Sequence, residues 1–185
     1  MIMNDKITVI GSGMMGGAII KSLLKGGYKG KITAVDIVSE RLKEFESLGA
    51  KTSTDNKKAA SDADIVFIIV KPGDVEKVLK EISQEIKGKL LISVAATVPL
   101  GFLKKNAPEA KIVRVMPNLG ALVQAAYTAY CCESNVTAED KERVKTLLNM
   151  MGICEEMDEK YMDAFAKEVC RKIPPKRLRK VLFLT

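Results

Sequence analysis

Apolar residues along this chain follow two alternating periods. Short, β-branched runs at residues 7–10, 32–36, 51–54, 64–70, 90–94, 112–115, 127–132 and 153–157 predict strands, and between them apolar side chains recur at helical spacing. Asp64-Ile65-Val66-Phe67-Ile68-Ile69-Val70 is apolar at consecutive positions, as in a strand covered on both faces. Residues 14–25 predict a helix ended by Gly26-Gly27, and Leu42, Phe45 and Leu48 predict a second behind Ser39 as N-cap, stopped by Gly49. Asp55 suits the cap of a helical turn through Ala60. After Lys71-Pro72-Gly73, the positions Val75, Val78, Leu79, Ile82 and Ile86 form one face of an amphipathic helix. Pro99 fits the first position of a helix over 100–105, and Thr137-Ala138-Glu139-Asp140 opens a helix reaching Met151, with Gly152 as its stop. A last helix begins at Glu159, and its pattern fails after Cys170. The alternation predicts an α/β fold of Rossmann type: a doubly wound, mainly parallel sheet with helices on both faces.

The expected organisation is one dinucleotide-binding domain over residues 1–164 and a basic tail over 165–185. With 185 residues, 47% of them hydrophobic, the chain can bury one full core. Its net charge of +7 does not point to nucleic acid, because six of those positive charges lie in the last fifteen residues. That tail also contains Pro174-Pro175 and an apolar end, Val181-Leu182-Phe183-Leu184. It reads as a disordered extension, a short docking helix or the product of a disrupted reading frame. The four cysteines show no C-x-x-C spacing and the chain has no histidine, so the usual zinc ligand sets are unavailable. Buried free thiols in a reducing cytosol are the expectation, with adjacent Cys131 and Cys132 on opposite faces of a strand. No secretory signal is visible, and the longest apolar run is far short of the ~20 residues that span a bilayer. A soluble, cytoplasmic protein without membrane contact is expected.

The chemistry begins where the first strand breaks into Gly11-Ser12-Gly13-Met14-Met15-Gly16, a G-x-G-x-x-G turn opening a helix. Gly11 allows the tight turn, Gly13 lets backbone approach a pyrophosphate, and Gly16 lets helix and strand pack closely. The helix N-terminus supplies unpaired amides and the positive end of a dipole. Ligands of open parallel sheets bind beyond the carboxyl ends of the strands, and other candidates lie at those ends. Asp36 follows the second strand, and its carboxylate can accept ribose hydroxyls and repel a 2′-phosphate, or else cap the next turn. Val70-Lys71-Pro72 follows the fourth strand, Val94-Ala95-Ala96-Thr97 the fifth, and Arg114-Val115-Met116-Pro117-Asn118 the sixth. The small residues of the fifth leave room for a flat ring, or reflect helix packing. Without histidine, chemistry here relies on hydride transfer with protons from water, hydroxyls, backbone or substrate, and no catalytic residue is assigned.

The glycine loop, Val70-Lys71-Pro72, Ser93-Val94-Ala95-Ala96, and Arg114-Val115-Met116-Pro117-Asn118 followed by Ala121-Leu122-Val123 together resemble pyrroline-5-carboxylate reductase over residues 6–164. The resemblance implies an oxidoreductase using NADP or NAD to reduce the imine of 1-pyrroline-5-carboxylate to proline. Carried over by position, it implies that Ile10, Gly11, Ser12, Gly13, Met14 and Met15 form the pyrophosphate loop. Asn56 would contact the adenosine side, and Val70, Lys71, Pro72, Val94, Ala95 and Ala96 would line the nicotinamide ribose and ring. Asn118 falls at the same crevice. Where the family often carries Ser or Asn, sometimes followed by Arg, this chain has Asp36-Ile37, which weighs against the usual NADP preference. After Met162-Asp163-Ala164 the family continues into a serine- and glycine-rich loop and a helical, dimerising domain that supplies the imino-acid pocket. This chain reads Phe165-Ala166-Lys167-Glu168-Val169-Cys170 instead, so that domain is expected to be missing. The alternative is a non-catalytic NAD(P)-binding module. Weak self-association, as a homodimer, is expected through a bared apolar face near Met150, Met151, Met157, Tyr161 and Phe165.

Overall fold

The computed structural model describes residues 4–172. Its strands are β1 (Ile7–Ile10), β2 (Ile32–Val35), β3 (Lys51–Ser53), β4 (Ile65–Ile68), β5 (Leu90–Ser93), β6 (Lys111–Met116), β7 (Ala126–Cys132) and β8 (Gly152–Glu156). The helices are α1 (Met14–Lys25), α2 (Lys43–Ser47), α3 (Asn56–Ser61), α4 (Val75–Glu81), α5 (Leu100–Asn106), α6 (Ala138–Asn149) and α7 (Glu159–Lys172). One eight-stranded sheet runs in the order β3-β2-β1-β4-β5-β6-β7-β8. Every ladder is parallel except β6 with β7, where Arg114 faces Cys131 and Met116 faces Ala129. That reversal has a local cause: only residues 117–125 join the two strands, too few for a crossover that would set them parallel. They fold into a single 3₁₀ segment, Leu119–Val123, closed by Gln124 in a left-handed conformation.

Two apolar layers cover the sheet. Ile7 and Val9 point toward α1, α2 and α6, packing with Ile19, Leu23, Phe45 and Leu147. Ile10, Val66 and Ile68 point to the other side, against Val75, Leu79 and Leu103 of α4 and α5 and Met162 of α7. The four residues of β4 are fully buried, as its continuous apolar run requires. Cys131 packs in the second layer and Cys132 against the first, on opposite faces.

Several local expectations are met in detail. Asp55 accepts from the Lys58 amide at the start of α3, and Thr137 and Asp140 form a reciprocal capping box on α6. Others are corrected. Ser39 does not cap a helix; its hydroxyl turns to Glu40, and a 3₁₀ turn, Ser39–Leu42, precedes α2. Pro99 is the extended cap residue of α5 rather than its first helical position. Regular helix after Pro72 stops at Glu81, although Ile82 and Ile86 remain buried. Of the expected bared face, Met151 instead belongs to the core at 1% exposure, while Tyr161 is exposed at 55%, and Ile153 joins it at 68%. Helix α7 runs on through Lys172, with Phe165 packed on the second layer. The remainder of the basic tail lies outside the described residues.

Candidate functional site

The glycine loop is shaped by contacts that tolerate no side chain. Gly11 sits at φ +95°, and a Cβ there would lie 2.4 Å from the Ile69 carbonyl oxygen. A Cβ on Gly16 would lie 1.9 Å from the Gly11 oxygen, so α1 reaches the loop only because residue 16 is glycine. Gly13 differs: nothing lies within 4 Å of the place its Cβ would take. It opens α1 without a side-chain cap, so the first-turn amides face a cradle that any side chain at 13 would fill. The donor set fits a dinucleotide pyrophosphate, which needs backbone N–H groups and close approach.

Ser12 turns inward. Its hydroxyl donates to the Val35 oxygen at 3.1 Å, and its amide donates to Asp36 Oδ2 at 3.0 Å. The other oxygen of Asp36 accepts from the Val38 amide at 2.9 Å and faces Arg41 Nη1 at 3.5 Å. The Asp36 carboxylate therefore ties the glycine loop to the turn after β2. Because each carboxylate oxygen has two lone pairs, Oδ2 keeps one for a ribose hydroxyl.

A cleft of about 470 Å³ runs from this point across the sheet ends. It brings together Ile10, Gly11, Gly13, Asp36, Asn56, Val70 and Lys71. Asn56 donates to Glu81 Oε2 at 3.0 Å, which fixes the wall between α3 and α4. Pro72 starts the 3₁₀ turn Pro72–Asp74, which carries Asp74 to the same wall. Met14 lies on the far side of the loop, 72% exposed, in an adjoining hollow that shares Arg41 with the cleft. Met15 packs against the first apolar layer.

The loop after β5 stands at the end of the neighbouring strand. The Val94 amide continues the β4 ladder by donating to the Ile68 oxygen at 3.0 Å, Ala95 is buried, and Ala96 is exposed. Asn118 is committed to its own turn, its Oδ1 accepting from the Gly120 and Tyr127 amides at 3.1 and 3.3 Å. Sequence reasoning placed Arg114 in the motif after the sixth strand, but assigned a role to neither Arg41 nor Arg114. Arg41 had a signal, its distance of five residues from Asp36. The partners of Arg114 became visible only through strand register, which sets it beside Ser93.

A family model described as an NADP oxidoreductase, coenzyme F420-dependent, matches residues 6–97. Pyrroline-5-carboxylate reductase of Methanosarcina acetivorans is 36% identical over 166 residues, 87% of this chain and 62% of that protein. The Plasmodium falciparum pyrroline carboxylate reductase crystal structure, with NADP bound, superposes with a TM-score of 0.84. It is 29% identical, over 95% of this chain and 65% of that one. The chain resembles the pyrroline-5-carboxylate reductases. The structure of the enzyme from Coxiella burnetii, 26% identical, gives a TM-score of 0.88 over 97% of this chain and 68% of that one. The chain thus spans about three fifths of the length of the curated relatives it matches.

Proposed function

We propose that the cleft binds NADH or NADPH and that the chain serves the reduction of 1-pyrroline-5-carboxylate to proline. One observation carries this reading: the glycine loop, Asp36, Asn56 and Val70-Lys71 share a single crevice at the strand ends. The likeness to pyrroline-5-carboxylate reductases supports it. A bound reduced nicotinamide supplies the hydride. The chain's own share is placement: first-turn amides of α1 hold the pyrophosphate, Asp36 orients the adenosine ribose, and the loops after β4 and β5 flank the nicotinamide half. Placement of this kind accounts for roughly 7–11 kcal/mol of a barrier when both reactants are held. The setting is the cytoplasm, where cysteines remain reduced, and exposed Ile153 and Tyr161 favour weak self-association.

A second reading, a dinucleotide-binding module without turnover, is favoured by the open nicotinamide end, where the cleft lining stops at Val70 and Lys71 and Ala96 is exposed. Oxidation of NADH and NADPH by the purified chain, with and without 1-pyrroline-5-carboxylate, separates the two. Imine-dependent oxidation supports the reductase. Binding in the micromolar range with no oxidation supports the module, and no binding of either cofactor defeats both.

A further inference from the structure

Arg114 lies in β6 between Ser93 of β5 and Cys131 of β7, with a side chain only 4% exposed. Its Nη2 donates to the Ala96 carbonyl oxygen at 2.8 Å and to Asp163 Oδ1 at 3.0 Å, and its Nη1 to Glu159 Oε1 at 3.0 Å. The same Glu159 oxygen accepts from the Leu100 amide at 2.7 Å. The connection from β5 to α5 is therefore held at two places, Ala96 and Leu100, and both attachments lead to the first turns of α7. Helix α7 is itself seated by Met162, fully buried, and by Phe165, whose ring lies 5.4 Å from that of Tyr127.

We propose that Arg114 and Glu159 are positioning residues that couple the seat of α7 to the Ala95-Ala96 loop, and through it to the nicotinamide half of a bound cofactor. This rests on the dinucleotide reading of the cleft. The physical basis is the scarcity of other anchors. Besides these contacts and the burial of Ala95 and Val98 in the second layer, the loop's hydrogen bonds are Val94 on the β4 ladder, a 3.2 Å bond from the Val98 amide to the Ala95 oxygen, and a long 3.5 Å contact from the Ala95 amide to Ser93. Charge-assisted bonds from a guanidinium excluded from water are stronger than these. The adenosine half is built separately, on Asp36 just after β2 and Asn56 of α3, and shares none of the clamp's hydrogen bonds. A disturbed clamp therefore acts on one end of the cofactor alone.

Titration of the full chain with NADH and, separately, with ADP-ribose tests this. The chain has no tryptophan, so emission from the reduced nicotinamide is read directly. Arg114→Met and Glu159→Ala are expected to weaken NADH by about tenfold and to red-shift bound nicotinamide emission, while ADP-ribose affinity stays within about twofold. Arg114→Lys, which keeps a donor for Ala96, is expected to recover part of the loss. Equal losses for both ligands, or no loss for either, overturn the proposal. Should Arg114→Met fail to fold, Glu159→Ala decides, since its side chain is one third exposed. If the unmodified chain binds neither ligand, the dinucleotide reading itself falls. If it binds ADP-ribose as tightly as NADH, that reading survives and the clamp proposal does not.

Discussion

The Asp36 carboxylate accepts the Ser12 backbone amide at 3.0 Å, joining the end of β2 to the glycine loop across 24 residues. One negative charge thus shapes the loop and stands at the ribose end of the cleft. Wild-type protein is expected to favour NADH, because a 2′-phosphate would be brought against Asp36. Asp36→Ser should shift the NADPH-to-NADH affinity ratio by about tenfold toward NADPH. It should also lower stability by about 1–3 kcal/mol, since the Ser12 and Val38 amides lose a charged acceptor. Parallel titrations and denaturant melts check both effects; an unchanged ratio refutes the assignment of Asp36 to the ribose.

The three loop glycines should separate by experiment. Gly16→Ala, with its Cβ 1.9 Å from the Gly11 oxygen, is expected to cost about 1–3 kcal/mol or to prevent folding. Gly13→Ala has open space around its Cβ and a backbone conformation that alanine accepts, so its melting curve should stay within about 1 kcal/mol of wild type. Cofactor affinity should nevertheless drop by at least about tenfold, because the methyl group fills the phosphate cradle. A Gly13→Ala protein that binds NADH normally would move the phosphates elsewhere.

Asp140 predicts an acid-dependent loss of stability. Burial alone would raise its carboxyl pKa, but hydrogen bonds from Lys111 and Thr137 outweigh it and hold the group below the usual carboxylate range. A depressed folded-state value means that the stabilisation is complete above the unfolded pKa of ~3.9 and disappears as pH falls through the folded one. Asp140→Asn should be destabilised by about 2 kcal/mol at neutral pH. In urea melts the gap between the two proteins should hold down to about pH 4 and close further into acid, as pH falls through the depressed folded value; a gap that persists unchanged would show that the charge is not its source.

Thiol reactivity reports the second apolar layer. Burial pushes the Cys131 thiol up to about 12 and the Cys132 thiol up to about 11. Alkylation at pH 8, followed by peptide mapping, should leave Cys131 unlabelled in native protein and label it fully in urea. Rapid native labelling of Cys131 would mean that β7 is open to solvent.

Most of the sheet was legible because its signals are local. A β-branched run followed by G-x-G-x-x-G defines β1 and α1, and continuous apolarity defines β4. Caps at Asp55 and Thr137 are fixed by side chains three residues from their partners. The lining of the candidate cleft was legible where it comes from strand ends, hence Asp36, Val70 and Lys71. It was not legible where register decides, because Arg114 reaches Ala96 and Glu159 across separations of 18 and 45 residues. Asn118 shows the reverse: the motif is present, but its side chain is spent on the turn that reverses β7. The bared face was legible only in part: Tyr161 is exposed as expected. Met151 follows α6 into the core, whereas Ile153 alternates outward on β8.

From β4 onward, order along the chain and order across the sheet coincide, each new strand joining the outer side of the one before. In chain order, both neighbours of β1 are present once β4 is reached, and every later strand follows the one it pairs with in the sheet. A tie back to the start of the chain forms late in that order, where Arg143 of α6 meets Asp5, 138 residues earlier, and anchors the segment leading into β1.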